Sequence, residues 1–275
     1  MIVSALNSYY AQKGVKDTEK RYEERGGFTV GPSSLGECGR KIAWLLSGLA
    51  PEPLSPETVR TFELGHQRGE ALERACKEIW PDAQSQVPVR IPLGKFTLTG
   101  TCDLWIPSLR TVVDFKTVGS FGAKMLDKEG ASEEYKLQVH AYREGIARML
   151  GLEPLPISGL KAATSGIRCV LVYEAKDSPM YGYSDPTPLT ERIRGGTLME
   201  LEVPWTDELE ERYQARLREI EGLLIRREQG TLDPTKVPEL PLGPKGGKSW
   251  KCKYCSVGES RGGCYANTGS GRSVG

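Results

Sequence analysis

Thr99–Thr117 reads TGTCDLWIPSLRTVVDFKT. Pro107–Arg110 marks a turn, so the stretch is expected to form a hairpin. Each strand carries one carboxylate, Asp103 and Asp114, and the second adds Lys116 two residues on. Side chains alternate faces along a strand, so Asp114 and Lys116 share a face while Val113 and Phe115 take the other. With the turn centred between Ser108 and Leu109, Asp103 faces Asp114. Opposed residues hold their Cβ atoms about 5 Å apart. Two like charges at that separation repel, and a divalent cation relieves the repulsion. The patch reads as a metal site with a lysine beside it, a set suited to phosphodiester hydrolysis. The plain alternative is a solvated strand face with an incidental ion pair. Asp is disfavoured within strands, so two at mirrored positions weigh against it. A slip of one residue would turn Asp103 away from Asp114.

The flanking elements follow from periodicity. Residues 1–32 read as a partly helical lead-in, and Ser33-Ser34 as the cap of a helix beginning near Leu35. Residues 51–56 are a linker. Glu57–Trp80 reads as a long helix with an apolar stripe of Phe62, Leu64, Ala71, Leu72, Ala75 and Ile79. Gln86–Ile91, Lys95–Ile106 and Arg110–Lys116 read as strands. Glu133–Leu150 is a second helix with Leu137, Ala141, Ile146, Ala147 and Leu150 inward, stopped by Gly151. Ile167–Glu174, IRCVLVYE, has the apolar centre of a buried strand. Tyr181–Leu189 reads as loop or edge. Thr206–Gln229 is a third helix, capped by Thr206 or Asp207, with Leu209, Tyr213, Leu217, Ile220, Leu223 and Leu224 inward. Pro234–Lys248 links to a cysteine-bearing tail, and 269–275 is expected to be disordered. The order of elements implies an α/β fold, a mixed sheet flanked by helices. Its regions are an N-terminal helical part (1–56), a core (57–230) and a C-terminal Cys-rich part (231–275).

Composition narrows the chemistry. The 275-residue chain carries a net charge of +1, so no global basic field marks a nucleic-acid binder. Basic residues do cluster after Lys236, among them Lys245, Lys248, Lys251, Lys253 and Arg261. The first residues lack the pattern of a signal peptide, and the longest apolar run, Ile42–Ala50, is far shorter than a membrane span. A soluble cytoplasmic protein with no membrane partner is the expectation. Seven cysteines, an odd number, argue against a disulfide framework. Two histidines, His66 and His140, argue against a Ser-His-Asp enzyme and a His-rich zinc site.

Three further constellations stand out. His66 and Glu70 share a helix face at i and i+4. His66 is a candidate third metal ligand, and Glu70 a candidate to orient it. Gln138 and Tyr142 also share a face, but their spacing alone is that of an ordinary amphipathic helix. Cys252, Cys255 and Cys264 follow C-x2-C-x8-C in a Gly-rich basic tail, and Cys38 in LGECGRK is the best candidate for a fourth thiolate. Four thiolates suit zinc or a [4Fe-4S] cluster, and spacing does not separate them. Cys76, Cys102 and Cys169 read as core thiols. GPKGGKS at Gly243–Ser249 is no phosphate loop, because the first glycine position is Leu242. The Lys-rich tail with Trp250 and Tyr254 could stack on single-stranded DNA.

Together these residues resemble the RecB-like branch of the PD-(D/E)xK nucleases, above all the CRISPR-associated exonuclease (Cas-four) family and its phage relatives. The matching motifs are Gly65-His66, GTCD at Gly100–Asp103, DFK at Asp114–Lys116, Q-x3-Y at Gln138–Tyr142, and cysteines split one before and three after. They span about Ser33 to Tyr265. The resemblance implies a restriction-endonuclease-like core. In it His66, Asp103, Asp114 and the Phe115 carbonyl bind Mg²⁺ or Mn²⁺, and Lys116 positions the attacking water. It implies that Gln138 and Tyr142 support the site and contact DNA. It also implies a [4Fe-4S] cluster on Cys38, Cys252, Cys255 and Cys264 that clasps the chain's ends together. The activity expected is exonucleolytic cleavage of single-stranded DNA, 5′ to 3′, in recombination, repair or phage DNA metabolism. The alternatives are a CRISPR spacer-processing endonuclease acting with an integrase, and a non-catalytic iron–sulfur or zinc protein that binds DNA.

Overall fold

Strands β1 (Gln84–Leu93), β2 (Phe96–Ile106) and β3 (Thr111–Val118) run antiparallel in sequence order. The structure is a computed structural model that describes residues 2–24, 29–152, 164, 166–176, 192–195, 198–238, 255 and 257. The β2–β3 connection is a short 3-10 turn at Pro107–Leu109, closed by Arg110 in the left-handed region with φ 47°. Pairs Leu104↔Val113, Trp105↔Val112 and Ile106↔Thr111 centre the hairpin between Ser108 and Leu109, the register expected from the sequence.

Strand β4 (Arg168–Ala175) lies parallel to β3. Parallel neighbours need a long crossover, and two helices lie within it, α4 (Ser120–Glu129) and α5 (Glu133–Met149). Two short strands absent from the sequence expectations, β5 (Arg192–Gly195) and β6 (Leu198–Glu202), complete a six-stranded sheet of order β1-β2-β3-β4-β6-β5. Helix α4 was likewise not expected. The result is a mixed sheet flanked by helices, in agreement with the α/β expectation.

The other helices are α1 (Ile2–Glu24), α2 (Gly39–Leu46), α3 (Pro56–Ile79) and α6 (Asp207–Glu228). The chain divides into two units, 1–30 with 37–62 and 218–275, and 31–36 with 63–217. In the first, Arg60 of α3 donates to Asn7 of α1, and Arg40 of α2 donates 2.6 Å to the Val237 carbonyl. The second holds the whole sheet.

The helix faces are partly those expected. On α5, Leu137, Ala141, Ile146 and Ala147 are buried, while Leu150 is exposed. On α6, Leu209, Tyr213, Leu217, Ile220 and Leu223 are buried, and the Thr206 hydroxyl accepts from the Leu209 N–H at 3.1 Å as the cap. Two expectations need correction. The N-cap of α2 is Cys38 rather than Ser33 or Ser34, which sit in a separate 3-10 turn at Pro32–Gly36. The stripe drawn on α3 is not its packing face, for Phe62, Leu64 and Ile79 are exposed. That helix packs through half-polar contacts: Cys76 against the cluster of Leu104, Ile106, Val113 and Val170, and Arg68 paired with Glu174 at 2.8 Å. A hydrophobicity pattern cannot find a face anchored by an arginine and a carboxylate.

Gly100 opens the GTCD motif because the turn carrying Pro32 presses on it. A Cβ there would stand 2.6 Å from Pro32 Cδ. Gly100→Ala is expected to destabilise the fold by about 1–3 kcal/mol through this overlap. A melting temperature equal to that of the parent chain would contradict the packing.

Candidate active site

The β2–β3 ladder ends at Leu104↔Val113. One step further its register sets Asp103 across from Asp114. There the backbone bond is replaced by a side-chain bond: the Phe115 N–H donates to Asp103 Oδ2 at 3.0 Å. Pleating puts Asp114 and Lys116 on the side of β3 opposite Val113 and Phe115. The former side faces α5, and Val113 and Phe115 join the cluster packed by Cys76 and Trp80.

Asp114 is 1% exposed, and Lys116 Nζ stands 2.7 Å from its Oδ2. That contact is an ion pair only, for Oδ2 makes no hydrogen bond of good geometry. Lys116 Nζ also donates to Gln138 Oε1 at 3.2 Å, and Gln138 Nε2 donates to the Tyr142 hydroxyl at 2.7 Å. The Tyr135 ring lies beneath the ammonium, 4.6 Å from its centroid. One chain of contacts thus runs from the Phe115 N–H through Asp103, Asp114, Lys116 and Gln138 to Tyr142.

Burial pushes the Asp114 carboxyl up to about 7; the Lys116 charge works against this and Asp103 adds to it. Burial works against the charge on Lys116, but Asp114 outweighs it and the ammonium is held above its ordinary range. Burial raises the phenols of Tyr142 and Tyr135 as well. Burial first, and Asp103 after it, thus disfavour the charge on Asp114, and a bound cation would favour it.

Magnesium and manganese bind through one or two carboxylates, with waters and substrate phosphates completing the shell. Asp103 and the buried Asp114 fit that donor set. His66 is exposed on α3. Among the described residues, no three His, Cys, Asp or Glu side chains are grouped to hold an ion. The close approach at Gly65 is present, since a Cβ there would lie 3.2 Å from Thr117 Oγ1. Glu70 is exposed on the same helix.

Two residues escaped the sequence reading. Tyr135 lies one helical turn before Gln138, a spacing that could have revealed it. Glu73, 8% exposed, lies beside Asp103 and Glu70. Gln138, unremarkable by spacing, is the link between Lys116 and Tyr142.

Cys38 and Cys255 are half-buried and belong to one unit. Cys252, Cys264, Trp250, Tyr254 and the Gly243–Ser249 loop lie outside the described residues, as does Tyr181–Leu189. Cys102 and Cys169 are core thiols, and Cys76 is half-buried against the core. His140 is fully buried, its ring edge-on to Trp205 at 4.2 Å. It is a core histidine. Among the described residues, no helix is long and apolar enough to cross a membrane.

No family model and no curated protein matches the chain. Two of the solved structures similar to it are as follows. One is of a protein designated SSO0001, at 17% identity and TM-score 0.44, with 93% of each chain covered. The other is a phage related exonuclease from Haemophilus somnus 129PT, at 14% identity and TM-score 0.44, covering 74% of this chain and 96% of that one. Likenesses this loose fix neither fold nor activity.

Proposed function

We propose that this chain is a Mg²⁺- or Mn²⁺-dependent deoxyribonuclease that degrades DNA from single-stranded ends. The observation that carries the reading is Lys116, fixed between a buried Asp114 and Gln138 at the edge of a carboxylate pair. Asp103 and Asp114 would hold the metal, with His66 and the Phe115 carbonyl as further ligands. A bound metal acidifies water and neutralises the phosphate. Lys116 orients the attacking water and offsets charge that builds on the phosphate oxygens. Gln138 keeps Lys116 aimed, and Tyr142 keeps Gln138 from rotating. Asp103, tied to the Phe115 N–H, lies beside Asp114. The 5′ to 3′ polarity rests on the resemblance alone, as does a setting in recombination, repair or phage DNA metabolism.

Cys38, Cys252, Cys255 and Cys264 are proposed to hold a [4Fe-4S] cluster, with zinc as the alternative. The thiol of Cys38 is free for this role, because it makes no capping bond to α2.

Anaerobic purification and a visible spectrum, followed by a Mn²⁺-dependent assay on end-labelled single-stranded DNA, test both parts. A brown protein with a broad band near roughly 400 nm and stepwise shortening of the DNA are expected. A colourless, zinc-bearing protein that cuts would keep the nuclease and discard the cluster. No cutting with either metal would discard the nuclease.

A further inference from the structure

Asp103 has no paired residue in either neighbouring ladder. Toward β3 the ladder has already ended. Toward β1 the pairing runs Ser85↔Leu104 and then Val87↔Cys102, skipping Gln86 and Asp103, which the register sets opposite each other. The cause of the second gap is visible in the backbone, because Gln86 has φ 54°. Among the described residues only Arg110 shares a positive φ without being glycine, and it closes a turn. A left-handed residue inside a strand persists only where its surroundings hold it.

What holds Gln86 is Glu73. Gln86 Nε2 donates to Glu73 Oε1 at 2.7 Å, and Glu73 is 8% exposed on α3. A carboxylate so deep, with Asp103 and Glu70 as acidic neighbours, needs a donor to stay there. The Gln86 amide is that donor, so each residue fixes the other.

We propose that Glu73 and Gln86 form a positioning pair that keeps Asp103 off the β1 ladder and its carboxylate on the Phe115 N–H. The proposal rests on the reading of Asp103 as a metal ligand for its functional meaning. Left free, Gln86 would relax to ordinary strand geometry and rejoin Asp103 in the ladder. The Asp103 backbone would then be held by β1, and its carboxylate would be drawn off the Phe115 N–H. Neither Glu73 nor Gln86 need touch the substrate. The carboxylate of Glu73 acts as an acceptor, and its charge is incidental.

The test uses the full chain with Glu73→Ala, Glu73→Gln and Gln86→Ala. Two quantities are measured, amide hydrogen exchange at Phe115 by NMR and Mn²⁺ affinity by calorimetry. Glu73→Ala and Gln86→Ala are expected to speed exchange at Phe115 by about tenfold, as for loss of one hydrogen bond. Both should weaken Mn²⁺ binding by about 10–100-fold, the usual effect of losing an outer partner of a metal ligand. Glu73→Gln still accepts from Gln86 and should restore both readings. Unchanged Phe115 exchange in the alanine variants would overturn the pair. So would a glutamine variant as impaired as alanine, since that outcome assigns the role to charge. Should Glu73→Ala not fold, the other two substitutions decide the matter. A parent chain that binds no Mn²⁺ would count against the nuclease reading, while exchange at Phe115 would still judge the pair.

Discussion

Lys116→Ala is expected to lower the rate of DNA cleavage by about 10²–10³-fold, the range found when one donor to developing negative charge is removed. Asp114→Ala should lower it at least as far. The reason is the set of contacts that Lys116 makes. Its ammonium contacts Asp114, Gln138 and the face of Tyr135 at once. Its removal acts twice, since Asp114 loses the charge that favours its ionised form and so binds a proton more tightly. A protonated Asp114 is a poor ligand for a hard cation. The two effects act through one unit, so the double variant should be scarcely slower than either single variant. Breaking a buried ion pair commonly costs several kcal/mol. Here the cost is smaller for Lys116→Ala, because the carboxyl left behind can go neutral. Circular dichroism and a thermal melt would establish that the variant is folded. Cleavage retained by both variants would sink the assignment.

The hairpin was legible because its information is local. A turn, two alternating strands and the position of two aspartates set the register, and the observed pairing has the centre that the turn implies. The buried strand β4 and the inward faces of α5 and α6 were legible for a like reason, since apolar side chains at regular spacing must leave water. Helix α3 was legible as a helix but not as a surface. Its anchors are Arg68, Glu73 and Cys76, and two of the three are charged. The short strands β5 and β6 were not legible, because their own runs are only four and five residues long and β6 owes its place to pairing with β4.

The site divides in the same manner. Asp103, Asp114 and Lys116 declare themselves by mirrored position and pleat. Gln138 and Tyr142 gain meaning only when α5 is laid on the sheet, where the amide meets Lys116. Glu73 had no sequence signal at all. Its significance lies in a hydrogen bond to Gln86 and a backbone angle, and neither is written in residue type or spacing.

The apparent affinity for Mn²⁺ is expected to fall about tenfold for each pH unit below about 7, and to level off above it. The Asp114 carboxyl is pushed up to about 7, so below that pH the buried group is mostly neutral. A cation must displace its proton, and proton and metal then compete for one oxygen pair. The same shift sets the stability of the metal-free chain. A carboxyl whose folded pKa lies above its unfolded value, here 3.8, binds its proton more tightly in the folded state. Its contribution to stability is fully present below the unfolded value and is lost as pH rises through about 7. The loss amounts to a few kcal/mol at most, at about 1.4 kcal/mol per pKa unit. Metal reverses this, for it binds the ionised folded site and stabilises by mass action. Melting temperatures with and without Mn²⁺ should therefore lie close together at pH 5 and diverge by pH 8. Asp114→Asn should abolish the divergence. His66→Ala should reduce its size and leave its pH dependence in place, because the midpoint belongs to Asp114. A gap between the two melting temperatures that does not change with pH would show that the buried carboxyl is not what the metal displaces a proton from.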